Sequence, residues 1–184
     1  MIYKRVLEYP ENVSLSSIAY SNSKHLYTSI MSSAYVLTGG TGNTSLKLAS
    51  QLHDAGHKAI VASTKGPEGV PAPFTGVKFD WTDESTYSNA LPVDSNIKAV
   101  YLLTPALSVS IDNVKAFIAL ARKSNVNRFV SLTAAKPFPH MKQIEAHLKE
   151  LGDKEGVEWA ILRPSWFYGE EYLLKTVSLQ IPDL

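Results

Sequence analysis

The sequence predicts an α/β fold, a doubly wound parallel sheet with helices on both faces. Three observations carry that prediction. From Ala34 onward, short apolar runs alternate with amphipathic stretches; the first run ends in a glycine-rich turn; and no internal repeat or low-complexity tract competes with the rhythm.

Tyr35-Val36-Leu37-Thr38 is a short apolar run leading into glycines, as a buried parallel strand requires. Thr44 to Ala55 sets Leu46, Leu48, Ala49 and Leu52 at helical spacing, and Gly56 stops it. Lys58 to Ala62 reads as a second strand and, after the Gly/Pro-rich stretch 66–76, Val77 to Asp80 as a third. Asp83 to Leu91 reads as a short helix and Ile97 to Leu103 as a fourth strand. Ile111 to Lys123 is a helix with Val114, Phe117, Ile118 and Ala121 on one face. Asn127 to Leu132, Ile144 to Leu151 and Gly156 to Leu162 complete the series as strand, helix and sixth strand. Right-handed crossovers favour the strand order 3-2-1-4-5-6.

Bulk properties bound the function. The 184 residues suit one domain, with 45% hydrophobic and 19% charged residues and a net charge of +1. That balance calls for neither nucleic acid nor an anionic membrane as partner. The chain has no cysteine, which removes disulfides and thiolate chemistry and fits a cytoplasmic protein. No apolar run approaches the roughly 20 residues that span a bilayer. Residues 1–30, rich in Ser, Tyr and Asn, read as a weakly ordered extension, and residues 31–184 as the organised domain. The five histidines lack ligand spacing, so no metal site is expected. No nucleophile elbow is present for a serine hydrolase.

The chemistry begins at Gly39-Gly40-Thr41-Gly42-Asn43-Thr44-Ser45, between the first strand and the first helix. A pyrophosphate needs a tight turn where a strand ends, a residue without a β-carbon for close approach, and the free N–H groups of a helix N-terminus. Gly39 and Gly42 fit the first two needs, and Asn43, Thr44 and Ser45 add donors. Ser45 stands where a third glycine would allow close helix–strand packing. The competing reading is a plain linking turn; position in the alternating pattern favours a Rossmann-type dinucleotide site. An NAD enzyme usually places Asp or Glu at the end of the second strand. Here Ser63-Thr64-Lys65 stands there, with no carboxylate until Glu68, so Lys65 with Ser63 points to the 2′-phosphate of NADP. A solvated loop lysine is the alternative.

Tyr35 to Ser45, Phe79 to Tyr87, Ala99 to Pro105, Lys115 to Arg122, Arg128 to Ala134 and Gly156 to Phe167 together resemble the NmrA-like atypical short-chain dehydrogenases. Within that group they are most similar to the fungal ergot-alkaloid agroclavine and festuclavine dehydrogenases. The resemblance implies NADPH and hydride delivery to an iminium carbon of a small-molecule substrate. It implies that Asp80 and Trp81 lie beside the adenine, Thr104 and Pro105 near the central riboses, and Ser131 and Thr133 by the nicotinamide. Trp81 as core packing, and Ser131 and Thr133 as local backbone partners, are the alternatives.

Classical members of that broad group pair a tyrosine with a lysine four residues on. Lys142 matches the lysine as the candidate catalytic residue and ribose ligand, or else is a solvated helix lysine, but Phe138 occupies the tyrosine position. A charged iminium needs no acid at the reacting carbon, so the loss suits imine reduction and disfavours ketone reduction. In the resembled family the chain continues after Arg163 to Phe167 and builds much of the substrate pocket. The expectation is therefore a domain truncated after its sixth strand and lacking most of the C-terminal substrate region, with Trp166, Phe167, Tyr168 and Tyr172 left to favour a homo-oligomer. Three outcomes follow: an NADPH-dependent imine reductase, a non-enzymatic NADP-binding regulator of NmrA type, or an inactive fragment.

Overall fold

The computed structural model describes residues 33–93, 95–105 and 109–165. The expectations for residues 1–30 and for Trp166, Phe167, Tyr168 and Tyr172 lie outside them. The described elements are β1 (Ala34–Leu37), α1 (Asn43–Asp54), β2 (Lys58–Ser63), β3 (Thr75–Lys78), β4 (Ile97–Leu102), α2 (Ile111–Lys123), β5 (Arg128–Leu132), α3 (Pro139–Glu155) and β6 (Glu158–Leu162). Two 3-10 helices, Pro67–Gly69 and Glu84–Ala90, flank β3. All pairings are parallel, and the strand order is β3-β2-β1-β4-β5-β6, as right-handed crossovers predict.

Three elements differ from expectation. β3 begins at Thr75, two residues early, because its ladder with β2 runs from Ile60↔Thr75 to Ser63↔Lys78 through weakly apolar residues. Gly76 belongs in that strand because the neighbouring 3-10 turn covers it: a β-carbon there would lie 2.8 Å from Pro67 Cα and from Val70 Cβ. The segment after β3 is 3-10 rather than α, opened by Asp83 accepting from the Ser85 N–H at 3.1 Å. α3 is longer than its apolar stripe, since Pro139 starts it and Gly156, at φ 66°, caps it.

Two cores sandwich the sheet. On one face α2 and α3 bury Val114, Phe117, Ile118, Ile144 and Leu148 against β4 and β5. At its centre the rings of Phe79, Trp81 and Tyr87 surround Phe117 at 5.0–5.4 Å. On the other face α1 lays Ala49, with Leu48 and Leu52, over Leu37, Ala59, Val61 and Tyr101. α2 is held at both ends: Ser110 accepts from the Asn113 N–H at 3.2 Å, while Arg122 and Lys123 complement the dipole in the last turn. Among the described residues no helix is long and apolar enough to cross a membrane.

Candidate functional site

The carboxyl ends of β1 and β4 are stapled by Thr38. Its hydroxyl donates to the Tyr101 carbonyl at 3.0 Å and accepts from the Leu103 N–H at 3.0 Å. Beyond it the chain turns through Gly39 and Gly40. Gly39 has no room for a side chain, since a β-carbon would sit 2.0 Å from Ser45 Oγ and 2.8 Å from Leu103 Cδ2. Gly40 is the residue that takes the left-handed conformation, at φ 57°. Gly42 is the N-cap of α1, and its backbone N–H bonds the Gly39 carbonyl at 3.2 Å. The turn therefore divides its demands differently from the simple reading: packing requires Gly39, and backbone conformation requires Gly40.

Ser45, on the first turn of α1, is fully buried under Gly39, and its hydroxyl has no partner. It occupies the close-packing role expected of it. The first turn of α1 carries no acidic residue, so the free N–H groups at this helix end face no competing negative charge. Beside this helix end lies a cleft of about 240 Å³ lined by residues 38–42, the chain from Ala62 to Lys65 at the end of β2, and Phe79 and Trp81. Among the described residues no carboxylate lines the cleft.

At the end of β2 the Lys65 N–H donates to Ser63 Oγ at 3.2 Å. The β2–β3 register sets Lys78 beside Ser63, and the Lys78 ammonium donates to the Thr64 carbonyl. A second cation thus stands at this corner, invisible in the sequence because it depends on register. Asp80 is not part of the cleft lining. Its carboxylate accepts from the Thr82 N–H at 2.9 Å and the Thr82 hydroxyl at 2.8 Å, and those bonds hold its pKa below the ordinary value. Trp81 is buried in the aromatic core, its indole N–H donates to the Leu103 carbonyl at 3.3 Å, and it also lines the cleft. Of the remaining turn residues, Thr41 lines the cleft and Asn43 is exposed at the helix start. Thr44 lies against Tyr101, whose phenol burial shifts upward while the Thr44 hydroxyl opposes the shift.

Further along the same sheet edge lie the ends of β4, β5 and β6. Thr104, Ser131 and Thr133 are buried there, and Pro105 is exposed. The Thr133 hydroxyl donates to Glu145 Oε1 at 2.9 Å. Arg163 donates to the same carboxylate through Nε at 3.0 Å and through Nη2. Lys142, on the first turn of α3, is exposed and outside the cleft. Phe138 is 53% exposed and stacks on His140 at 6.3 Å.

The chain is similar to fungal agroclavine and festuclavine dehydrogenases. It is 39% identical over 139 residues to agroclavine dehydrogenase of Claviceps fusiformis and 35% identical over 140 residues to festuclavine dehydrogenase of Aspergillus fumigatus. Each alignment covers 72% of this chain, but 46% and 47% of the relative, so the chain spans about half the length of the curated relatives it matches. Among solved structures, a Rossmann-fold NAD(P)-binding family protein from Shigella flexneri superposes with a TM-score of 0.57 at 18% identity, over 76% of this chain and 70% of that one. That likeness concerns the fold alone. No protein-family profile matches the chain.

Chemically, the edge divides into two parts. The β1–β2 end offers amide N–H groups, hydroxyls and Lys65, a donor set suited to an anion. The β5–β6 end offers a buried carboxylate already satisfied by Thr133 and Arg163. The pairing of Glu145 with Arg163 is not legible in the sequence: it spans 18 residues, and no local spacing marks it.

Proposed function

We propose that the cleft binds the adenosine–pyrophosphate half of a nicotinamide dinucleotide, NADPH in preference to NADH. The chain would then be the cofactor-holding part of an NmrA-like reductase acting on imine or iminium substrates of the ergot-alkaloid type. One observation carries the reading: a cleft without carboxylates joins a helix N-terminus, reached through a glycine turn, to Lys65 at the end of β2. The donor set fits the group. Backbone N–H groups at Asn43 and Thr44 would hold the pyrophosphate, and Lys65 with Ser63 would hold the 2′-phosphate. The bound cofactor supplies hydride, and the protein supplies orientation and exclusion of water. The similarity to agroclavine and festuclavine dehydrogenases supports the substrate class.

The test is titration with NADPH and with NADH by calorimetry, on the wild-type chain and on Lys65→Glu. The wild type should prefer NADPH, and the variant should lose that preference by about tenfold, the worth of one charge-assisted contact. Equal affinities in the wild type would refute the assignment. A second reading, a dinucleotide-binding regulator without turnover, is favoured by the missing hydroxyl at Phe138 and by the exposed position of Lys142. It predicts NADPH binding with no oxidation on an imine panel, and a productive imine substrate would exclude it.

A further inference from the structure

The ladder between β5 and β6 ends at Leu132↔Leu162, yet the two chains stay together beyond it. The Thr133 N–H donates to the Leu162 carbonyl at 2.8 Å, and the Ala135 N–H to the Pro164 carbonyl at 3.1 Å. Glu145 reaches this point from the second turn of α3. It is 4% exposed, its neighbours on the buried face are Ile144 and Leu148, and both its oxygens are engaged by Thr133 and Arg163. Arg163 itself is half exposed.

A buried carboxylate is a poor choice for stability alone. Its desolvation offsets most of what its partners return, and an apolar residue of similar volume is often as good or better. A bidentate guanidinium pair, however, specifies one geometry. Here the pair fixes three things to one another: the end of β5 at Thr133, the end of β6 at Arg163, and the first turns of α3. In an open α/β sheet a dinucleotide lies across the carboxyl ends of the strands, running from the turn after β1 toward the strands beyond the switch point. The β5 end is therefore where its second half would arrive.

We propose that Glu145 is a positioning residue, which through Thr133 and Arg163 holds the β5–β6 strand ends in the one arrangement that accepts the nicotinamide half of the dinucleotide. The proposal rests on the dinucleotide reading above, and it separates the two halves of the ligand. The β1–β2 cleft binds the adenosine half without help from Glu145. The Glu145 clasp acts only on the half that carries the nicotinamide.

The experiment compares two probes by calorimetry: NADPH, and 2′-phosphoadenosine 5′-diphosphoribose, which lacks the nicotinamide. Glu145→Gln should weaken NADPH about tenfold, the worth of one charge-assisted bond in affinity, and leave the fragment unchanged. The fluorescence of bound NADPH, which reports the nicotinamide surroundings, should shift toward that of free NADPH. Arg163→Lys keeps the charge but loses the fork; it should act in the same direction with a smaller loss, and its half-exposed position keeps folding intact if Glu145→Gln unfolds. Equal losses for both probes, or no loss for either, would overturn the proposal. So would a wild type that binds fragment and NADPH equally well, although the cleft reading would then stand. A wild type that binds neither probe would overturn both.

Discussion

The tightest contact at the glycine turn gives a quantitative test of its packing. In Gly39→Ala the new β-carbon falls 2.0 Å from Ser45 Oγ and 2.8 Å from Leu103 Cδ2, both inside van der Waals distance. Overpacking of this kind costs about 1–3 kcal/mol, and two such contacts argue for about 2. Ser45→Ala should do the opposite. The hydroxyl it removes is buried and without a partner, so its loss returns about 1 kcal/mol, with up to about 0.5 more from helix propensity. In the double variant the 2.0 Å contact is gone, and the Leu103 side chain must give way at Cδ2, 2.8 Å away, and slightly at Cβ, 3.3 Å away. Gly39→Ala should then cost about 1 kcal/mol, a coupling of about 1 kcal/mol, well above the ~0.3–0.5 scatter of independent sites. Urea unfolding of all four proteins, with equal m-values, measures each term. Additive single effects, or a Ser45→Ala variant less stable than the wild type, would refute the packing argument.

The other expectations are shorter. Glu145 is held below the ordinary carboxylate range first by its hydrogen bonds from Arg163, with burial opposing and Thr133 assisting. A depressed folded-state pKa contributes stability that is full above the unfolded value, about 4.3, and is lost as pH falls through the folded value. The stability gap between wild type and Glu145→Gln should therefore hold steady from pH 7 to about 5 and narrow as pH falls below about 4.3; urea midpoints that keep a constant gap below that value would contradict the pairing. Phe117→Ala removes the ring at the centre of the aromatic cluster and should cost about 3–5 kcal/mol. Phe138→Ala, at an exposed ring, should stay within about 0.5 kcal/mol in the same unfolding assay.

The β1–β2 end of the site was legible because its chemistry is local. Glycines, a helix start and a strand-end lysine all lie within 30 residues, and their order alone implies a turn, a dipole and a cation. The fold was legible for the same reason: apolar periodicity switches cleanly between strand and helix from Ala34 to Leu162. What escaped depends on register. Lys78 stands beside Ser63 only because β3 begins at Thr75, and hydrophobic pattern placed that strand two residues late. The sequence assigns the turn's two demands to Gly39 and Gly42, and only the φ of 57° at Gly40 marks that residue as the one in the left-handed conformation. Trp81 is buried in the aromatic core, as the packing alternative has it, and also lines the cleft.

The same distinction governs how function should divide. The donors at the β1–β2 end are fixed by contacts within the turn and by the Thr38 staple to β4, all inside the described domain. The β5–β6 end depends instead on a carboxylate carried by α3 and an arginine placed just after the final strand. Affinity for the adenosine half should therefore be insensitive to loss of the clasp, whereas affinity for the nicotinamide half should respond to it. The two halves of the ligand are separable at this sheet edge: Glu145→Gln should weaken NADPH and spare the fragment without nicotinamide, whereas Lys65→Glu should weaken both.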